Sequence, residues 1–327
     1  MENYAISAVR LTDRAMLLDR ALSLIDSGAD ERRKIAEGLA ISMTGAGRII
    51  STLADHGILC ESRSGRTHRL ALSDDLVFAL LDMMPGGIQC LRFGADLRVQ
   101  SNFRIPTEHA LFFDDTLTIA LRRLREAPVH GVIFVADGIS ADAENIFFST
   151  GIAGLDGLDL SAYAAEILPG AVCAAMSRQA CAADIASVRG TTVVISERGG
   201  SLRSSVFANG TDNVGGGNIG TVYTPRGVTA ESLVRYARDL SEYTHGLAGA
   251  VFAAQSLLLP ENVILCISRY SAGDEICRAV TESLMRDFAL SRTDIPRLLC
   301  LTEADDLTSP ARRAIRLLFV ADTSQTA

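Results

Sequence analysis

Three glycines, Gly215, Gly217 and Gly220, form a literal G-x-G-x-x-G, the spacing that cradles a pyrophosphate in dinucleotide-binding proteins. That motif binds phosphate only where it closes a strand and opens a helix, because the helix N-terminus supplies the amide donors. Here residues 209–214 separate the glycines from the preceding predicted strand, and the β-branched, proline-stopped run 221–225 follows. We therefore interpret the match as accidental and predict no dinucleotide site.

Other polar side chains that could take part in catalysis lack the neighbours that catalysis requires. Ser177 has no His or Lys at a spacing that would activate it as a nucleophile, so we expect it to cap or face a helix beginning near Ala175. We interpret Asp82 as a strand-end or turn carboxylate. The five histidines are isolated and the seven cysteines stand singly, so neither a metal site nor a cofactor is predicted.

The composition is that of an ordinary folded protein. The 327 residues are enough for two or three domains, and 48% of them are hydrophobic and 21% charged. The chain shows no N-terminal apolar signal region and no apolar run of roughly 18 residues, so neither secretion nor membrane insertion is predicted. The odd number of scattered cysteines indicates reduced thiols, and we expect a cytoplasmic protein.

The charge is distributed unevenly along the chain. The formal net charge of −8 argues against nucleic-acid binding by the whole molecule. Residues 28–70, however, carry seven Lys or Arg against five acids, so this segment is +2 and the remainder is −10. A nucleic-acid-binding surface is therefore expected within the N-terminal part.

The N-terminal part has helical periodicity followed by a hairpin signal. Apolar residues at spacings of three and four predict one helix over 16–25 and a second over 31–38. Ser42 is placed to cap a third helix that ends before Gly57. Two alternating strands then flank the basic turn 63–66. Three helices and a basic two-stranded hairpin are the element order of a winged helix-turn-helix.

A winged helix-turn-helix reads DNA with its third helix and its hairpin. We expect Thr44 and Arg48 to face the major groove. The candidate DNA-binding residues are Ser42, Thr44, Gly45, Gly47, Arg48, Arg63, Arg66, Thr67 and Arg69, the last four as backbone or minor-groove contacts. Gly45 and Gly47 each lower helix propensity by roughly 1 kcal/mol relative to alanine, so they either permit close approach to DNA or mark a decayed DNA-binding surface. A module that serves only protein contacts is the alternative.

Beyond about residue 76, strand and helix patterns alternate, which predicts an α/β body with covered sheets. Predicted strands lie at 78–81, 88–93, 132–135, 192–195, 204–208 and 263–267. Predicted helices lie at 111–125, 160–168, 175–186, 230–243, 249–258 and 274–290. No low-complexity linker or sequence repeat interrupts this pattern.

At several motifs the chain resembles the ROK family, which groups sugar-responsive repressors with sugar kinases. The segment ISMTGAGRIISTLADHGIL is similar to the motif L-S-x-x-T-V-S-R-I-V-x-x-L-x-x-x-G-L-V of the family's repressors. FALLDMMPGGIQCLRFGADLRV, GVIFVADGISAD, FFSTGIAGLDGLDL and LLLPENVILC look like successive segments of its actin/hexokinase-like (ribonuclease H-like) body. The resemblance covers nearly the whole chain. It implies a winged helix-turn-helix (1–74) and two α/β lobes (75–190, which the C-terminal helix rejoins, and 191–327) around a ligand cleft.

The family's functional positions are mostly altered in this chain. The first phosphate motif keeps Asp82 without its first glycine, and the catalytic base of the kinases falls on Ser177, which has no carboxylate. The sugar-binding Asn falls on Gly151, and the paired sugar- and zinc-binding positions fall on Asn218 and Thr221. The resemblance thus implies a cleft that lacks the usual ATP, zinc and sugar contacts. Its candidate residues are Asp82, Ser149, Ser177, Asn209, Asn218 and Thr221.

These features predict a DNA-binding transcriptional regulator of the ROK type, acting as a repressor. Its body would be non-catalytic and would bind a sugar-like effector or mediate dimerisation. A homodimer would present two DNA-binding modules to a pseudo-palindromic operator. Two alternatives are an ATP-dependent carbohydrate kinase with displaced catalytic groups, and a sensor or scaffold that does not bind DNA.

Overall fold

The structure is a computed structural model that describes residues 13–55, 57–64, 67–73, 75–84, 86–94, 98–107, 113–141, 146–148, 151–186, 189–208 and 212–302. The helices are α1 (Asp13–Asp26), α2 (Arg32–Leu39), α3 (Met43–Asp55), α4 (Phe113–Leu124), α5 (Leu160–Ile167), α6 (Arg178–Ala186), α7 (Ala230–Tyr236), α8 (Leu240–Leu258) and α9 (Gly273–Asp287). The strands are β1 (Leu59–Ser64), β2 (Thr67–Leu72), β3 (Val77–Met84), β4 (Gly87–Gly94), β5 (Val99–Pro106), β6 (Gly131–Ala136), β7 (Ile139–Ala141), β8 (Ile146–Phe148), β9 (Val172–Ser177), β10 (Thr192–Arg198), β11 (Ser201–Ala208), β12 (Asp212–Gly217), β13 (Asn262–Cys266) and β14 (Arg297–Leu301). None of the described helices combines the length and the apolar character that a membrane crossing needs.

The N-terminal helices pack around one small apolar core. Ile35 of α2 and Ile50 and Leu53 of α3 are buried there, because each helix turns its apolar stripe inward. The Ser42 hydroxyl accepts a hydrogen bond from the Gly45 amide at 3.1 Å, which confirms the predicted cap of α3. Strands β1 and β2 pair as an antiparallel hairpin. The three helices and the hairpin therefore follow one another in the predicted order.

Two five-stranded sheets of the same topology follow. The first has the strand order β5-β4-β3-β6-β9 and the second β12-β11-β10-β13-β14. In each sheet the first three strands of the chain pair antiparallel and the last two join in parallel. Parallel strands need crossover helices that cover the sheet, which is why β6 and β13 are buried at every position. This repeated arrangement is a mixed α/β body.

The first sheet has an apolar core on each face. One face packs against α4 and α5, with Phe113, Leu117 and Phe134 fully buried between them. The other face carries Phe78 and Leu80, which belong to the same hydrophobic core as the N-terminal helices. The N-terminal unit is therefore seated on the first sheet rather than joined to it only by a linker.

Helix α6 passes from one sheet to the other. It begins directly after β9 of the first sheet, and its Ala182 and Ala183 pack on Val194 and Phe207 of the second. Helices α7, α8 and α9 cover the opposite face of the second sheet. The start of α6 consequently lies at the junction of the two sheets. The domain boundaries stay a prediction, in which α6 is counted with the first lobe.

Three predictions of secondary structure are wrong. Residues 175–177, predicted to begin a helix, end the strand β9, because a strand buried on both faces has an apolar run that periodicity cannot separate from a helix. The predicted helix 230–243 is two helices, since Asp239 caps the second by accepting from the Glu242 amide at 2.9 Å. Residues 212–217, for which no strand was predicted, form the edge strand β12.

Two cysteines of the first sheet are chemically inert. Burial raises the pKa of the Cys90 and Cys173 thiols to about 12 in both cases. Both thiols therefore stay protonated at neutral pH, where the thiolate is the reactive form.

The free energy of unfolding is expected to fall as the pH drops below about 6.5, because of His245 in α8. Burial lowers the pKa of His245, while its Nδ1 lies 3.0 Å from Asp287 and 3.2 Å from Ser283. Its Nε2 is buried without a partner among the described residues, so protonation would leave an N–H unsatisfied. Because the pKa of His245 is lower in the folded state than in the unfolded state, its contribution to stability is complete above the unfolded-state pKa. This contribution is lost as the pH falls through the folded-state pKa. Urea denaturation between pH 7.5 and pH 5 measures it, and His245→Gln should flatten the profile; an unchanged profile would contradict the assignment.

Candidate functional site

The exposed face of α3 forms a groove at the surface of the N-terminal unit. The groove has a volume of about 720 Å³ and is lined by Arg32, Met43, Thr44, Gly47, Arg48, Ser51, Thr52 and Asp55. Thr44 and Arg48, the predicted base-reading residues, are both exposed within it. Arg48 is the one basic residue of α3 and lies in its N-terminal half, whereas the acidic Asp55 ends the helix.

Arg32 is a second arginine of this groove, and the predicted set of DNA-binding residues does not include it. Its guanidinium lies over Gly47, with Nη1 3.5 Å from the position that a Cβ would take on that glycine. The side chain is 50% exposed, and its acidic neighbour is Glu61 of β1 at 4.0 Å. Arg32 therefore stands where α2, α3 and the hairpin meet.

The predicted hairpin contacts differ in their surroundings. Nη1 of Arg69 lies 2.8 Å from Oδ2 of Asp30, so Arg69 holds β2 against the start of α2 rather than projecting alone. Arg63 and Thr67 belong to the paired ends of β1 and β2. Arg66 lies outside the described residues.

Gly45→Ala is expected to raise the free energy of unfolding by up to about 1 kcal/mol. A Cβ at this position would lie 3.4 Å from Ser42 Oγ and 3.6 Å from Ile41 Cδ1, so α3 gains the helix propensity of alanine without a clash. Urea denaturation measures the change. The same variant decides why the glycine is present: weaker DNA binding by the more stable protein would mean that DNA approaches the bare backbone. Unchanged DNA binding would contradict close approach at this residue.

Asp82 of β3 is the centre of a buried ion cluster between the two sheets. Arg178, at the start of α6, donates to its Oδ1 at 2.5 Å. Arg198, at the end of β10, binds the same carboxylate through both terminal nitrogens, one of them at 2.8 Å. The Asp82 side chain is 1% exposed and the arginines 5% and 15%. Because Arg198 belongs to the second sheet, the cluster ties the two sheets together.

A chain of hydrogen bonds continues the cluster across the junction. Gln179 donates to the Ser196 hydroxyl at 2.8 Å and accepts from the Gly138 amide at 3.0 Å. Ser196 donates to Asp137 at 3.2 Å, and Ser177 donates to the Gly138 carbonyl at 2.5 Å. These bonds join the end of β6, the start of α6 and β10. The protein's own polar groups thus fill this part of the junction.

Asp82 and Ser177, both predicted to line the ligand cleft, are instead bonded to other groups of the protein. Burial alone would raise the pKa of Asp82, but the hydrogen bond from Arg198 and the charge of Arg178 outweigh it, so the pKa is lowered. A carboxylate held in this way is a weak base. Asp82 was expected as a strand-end or turn carboxylate; it is instead buried within β3 by its tertiary ion pairs. Ser177 was expected to cap or face a helix beginning near Ala175; it is the last residue of β9, and the helix α6 begins directly after it, at Arg178.

A guanidinium from the second sheet lies where the resemblance placed a sugar-binding side chain. A Cβ on Gly151 would lie 2.0 Å from Nη2 of Arg203 and 2.6 Å from its Cζ. Gly151 also has a φ of 70°, in the left-handed region that favours glycine. Position 151 therefore contributes no side chain to the junction, and Arg203 of β11 occupies that space.

Packing explains Gly220 of the G-x-G-x-x-G match and also Gly216, which stands at an x position of the motif, whereas a Cβ on Gly215 or Gly217 would have no described atom within 4 Å. A Cβ on Gly216 would lie 2.3 Å from the Ser204 carbonyl oxygen, so β11 and β12 approach too closely for a side chain there. At Gly220 a Cβ would lie 2.8 Å from a carboxylate oxygen of Glu231, a charge that repels phosphate. A 3₁₀ helix of three residues lies at Ile219–Thr221, so the glycines do not open an α-helix as they do in the dinucleotide-binding motif.

The other cleft candidates do not join Asp82 and Ser177. Asn218 is exposed and accepts from the Gly220 amide at 3.0 Å, and the Thr221 hydroxyl donates to the Asn218 carbonyl at 3.3 Å. Both side chains therefore serve their own turn. Ser149 and Asn209 lie outside the described residues. Within the described ranges, no three His, Cys, Asp or Glu side chains are grouped so that they could bind a metal ion.

Sequence reasoning missed the arginines that shape the junction. Arg178 and Arg198 meet Asp82 across 96 and 116 residues of sequence, so no local motif marks the cluster. The available signal was weak: Arg198 and Arg203 lie on the two strands of the β10–β11 hairpin, close to its Gly-Gly turn.

Solved structures resemble this fold, whereas no family sequence model and no characterised protein matches the chain by sequence. A ROK family transcriptional regulator, a homologue of the E. coli Mlc protein, has a TM-score of 0.66 at 12% identity, over 95% of this chain and 98% of its own. A ROK family protein from Streptococcus pneumoniae, in complex with sucrose, has a TM-score of 0.50 at 14% identity, over 77% of this chain and 100% of its own. A ROK family glucokinase from Streptomyces griseus, in complex with glucose and AMPPNP, has a TM-score of 0.51 at 14% identity, over 77% and 100%.

These likenesses show the fold of the body. It is the mixed α/β fold of ROK family structures, which include a regulator as well as sugar kinases. The fold alone does not assign a function, because regulators and kinases share it.

Proposed function

We propose that the chain is a DNA-binding transcriptional regulator of the ROK type, with an N-terminal winged helix-turn-helix and a body without catalysis. The observation that carries the proposal is the exposed groove of α3, which presents Thr44, Arg48 and Arg32 at the surface of a three-helix unit with a hairpin. An α-helix fits the major groove of B-DNA, where arginine reads guanine or holds phosphate. The N-terminal half of such a helix contacts the bases. In α3 that half contains Thr44 and Arg48, and Arg32 of α2 lies over Gly47 beside them.

The extents of the structural matches support a separate role for the N-terminal unit. The regulator structure matches 95% of this chain and the glucokinase 77%, although both are matched over nearly their whole length. The difference corresponds to a segment of about the size of the predicted module 1–74. A segment of this size that the regulator matches and the glucokinase does not is what a DNA-binding module of the regulator type would produce.

The state of the junction supports a body without phosphoryl transfer. A sugar kinase needs a carboxylate that can take the proton of the attacking hydroxyl. Asp82 is instead paired with Arg178 and Arg198, and the Ser177 hydroxyl donates a hydrogen bond to the buried Gly138 carbonyl.

A homodimer would place two modules on a pseudo-palindromic operator. The N-terminal helices share a hydrophobic core with the first sheet, so a change in the position of that sheet would move the module with it. A sugar-like effector bound between the lobes would then change the spacing of the two α3 helices and release the operator, as in a repressor.

A gel-shift titration with DNA from upstream of the protein's own gene tests DNA binding. We expect specific binding that weakens steeply as salt rises, because each phosphate contact releases counterions. Unlabelled DNA of unrelated sequence is the competitor control. Binding no tighter than to this competitor at moderate salt would sink the proposal.

Phosphoryl transfer separates the proposal from the alternative of a carbohydrate kinase. We expect no ATP-dependent phosphorylation of hexoses or amino sugars by the purified protein. An activity that the wild type shows and that Asp82→Asn abolishes would assign the body as a kinase instead.

A further inference from the structure

Two half-buried cysteines of the second lobe, Cys277 and Cys300, lie against each other although they are distant in the sequence. Cys277 belongs to α9 and Cys300 to β14, the strand on which α9 packs. A Cβ on Gly273, the first residue of α9, would lie 3.3 Å from the Cβ of Cys300. Cys277 follows one turn later on the same face of α9, because residues four positions apart are neighbours on a helix. The two cysteine side chains therefore meet between the helix and the strand.

A hydrogen bond joins the two thiols, with Cys300 as the donor and Cys277 as the acceptor. This bond lowers the pKa of Cys277, although burial and the charge of Asp274 act in the opposite direction. The same bond raises the pKa of Cys300, and burial adds to the effect. Cys277 is therefore the thiol of the pair that more readily becomes a thiolate, which is the form that reacts with oxidants.

Cys266 of β13 is close in the sheet but cannot take the place of Cys277. The residue that pairs with Cys300 is Leu265, so the next side chain, that of Cys266, points to the opposite face of the sheet. Cys266 accordingly packs in the apolar core beside α6, whereas Cys300 packs in the core beside α8 and α9. A disulfide needs side chains that point towards each other, and Cys277 and Cys300 meet this condition.

We propose that Cys277 and Cys300 form a redox-active dithiol, which a hydroperoxide converts to a disulfide. The Cys277 thiolate attacks the outer oxygen of the hydroperoxide, the O–O bond breaks, and the departing oxygen takes a proton and leaves as water or an alcohol. Cys277 is now a sulfenic acid. The Cys300 sulfur attacks its sulfur, the S–O bond breaks, and the Cys300 proton leaves with the hydroxide as water. The peroxide thus gains the two electrons that the two thiols lose.

The disulfide would tie α9 covalently to β14 at the edge of the second sheet. Where the surroundings are reducing, disulfides between neighbouring thiols are transient and serve redox sensing, since a thiol reductant opens them again. The inference goes beyond the proposed function and does not depend on it, because the pair lies in the body and its chemistry needs no DNA.

Peptide mapping of the full chain tests the dithiol. The reduced protein is treated with hydrogen peroxide, its remaining thiols are alkylated, and it is digested with trypsin without reduction. Trypsin cleaves after Arg278 and Arg297, so the two cysteines fall on different peptides unless a disulfide joins them. We expect one joined pair of peptides that contains Cys277 and Cys300, and dithiothreitol should separate it.

Variants assign the order of the two steps. Cys300→Ser removes the thiol that closes the disulfide, so Cys277 should accumulate as a sulfenic acid that dimedone traps. Cys277→Ser should leave Cys300 at least about tenfold slower to react with the peroxide than Cys277 is in the wild type. Cys60→Ser, at an exposed cysteine of β1, is the matched control and should form the same disulfide at an unchanged rate.

Three results would overturn the dithiol. The first is a wild-type protein in which both thiols stay free at a peroxide concentration that oxidises Cys60. The second is a disulfide that joins Cys277 or Cys300 to a different cysteine or to a second chain. The third is sulfenic acid on Cys300 that forms as fast as on Cys277. The first two are measured on the wild type, so they decide the question even where a serine variant does not fold.

Discussion

Replacing Asp82 by alanine is expected to lower the free energy of unfolding by about 3–5 kcal/mol. The substitution removes the carboxylate that joins the buried Arg178 and Arg198, at 5% and 15% exposure, and leaves Asp137, 4.0 Å from Arg178, as the nearest carboxylate of the cluster. A charge taken out of water costs several kcal/mol unless an opposite charge compensates it. Urea denaturation followed by circular dichroism measures the loss.

Asp75 provides the matched control for this measurement. It is an exposed aspartate two residues before β3, and no ion pair holds its carboxylate among the described residues. Asp75→Ala is therefore expected to change stability by no more than about 0.5 kcal/mol. A loss in Asp82→Ala as small as that of the control would show that the ion cluster does not hold the sheets together.

The free energy of unfolding at acidic pH provides a second test of the role of Asp82. The folded-state pKa of Asp82 is lowered, so its contribution is complete above about pH 4 and is lost as the pH falls through the folded value. The Asp82→Ala protein lacks this contribution at every pH. Its stability should consequently depend less on pH in the acid range than that of the wild type.

Local signals in the sequence were sufficient to predict the helices and the hairpin of the N-terminal unit. Ser42 caps α3 as predicted, and Gly57 follows the helix with a φ of 69°, which glycine adopts without strain. The Asp239–Glu242 pair that starts α8 was an equally local cap signal, and it was overlooked. Such features depend on residues a few positions apart, which is why a single sequence contains them.

The strands that were missed depend on tertiary position. β5 is an exposed edge strand with a polar sequence, so neither alternation nor an apolar run marks it. β9 contains two alanines and a methionine, residues that favour a helix, and only its pairing with β6 makes it a strand.

The groove of α3 could be predicted from the sequence, whereas the ion cluster of the junction could not. The groove residues Thr44 and Arg48 follow from one helix and its cap, which the sequence contains within a few residues. The partners of Asp82 come from another element and another sheet, and the contact of Arg203 with Gly151 crosses the junction. Pairing between distant elements leaves no spacing in the sequence, so the resemblance named the positions of the cleft but not what fills them.

Arg48→Ala is expected to weaken specific DNA binding about tenfold or more, a loss of about 1–3 kcal/mol. Arg48 and Thr44 are four residues apart and line the same groove, so both side chains project from one face of α3. The Arg48 side chain is exposed and forms no ion pair within the described ranges, so its removal should leave stability within about 0.5 kcal/mol of the wild type. Arg122→Ala, at an exposed arginine of α4, removes the same charge from the body and should leave DNA binding unchanged.

The salt dependence of the Arg48→Ala titration identifies the kind of contact. If Arg48 holds a phosphate, the variant binds all sequences more weakly, and the slope of affinity against salt falls by about one. If it reads a base, the slope is kept and the preference for the operator is relaxed. If Arg48→Ala binds the operator as tightly as Arg122→Ala does, the proposal that α3 contacts the DNA is contradicted. Arg32 lines the same groove as Arg48. If the double variant Arg32→Ala/Arg48→Ala loses less DNA affinity than the sum of the losses in the two single variants, both arginines contact the same part of the DNA.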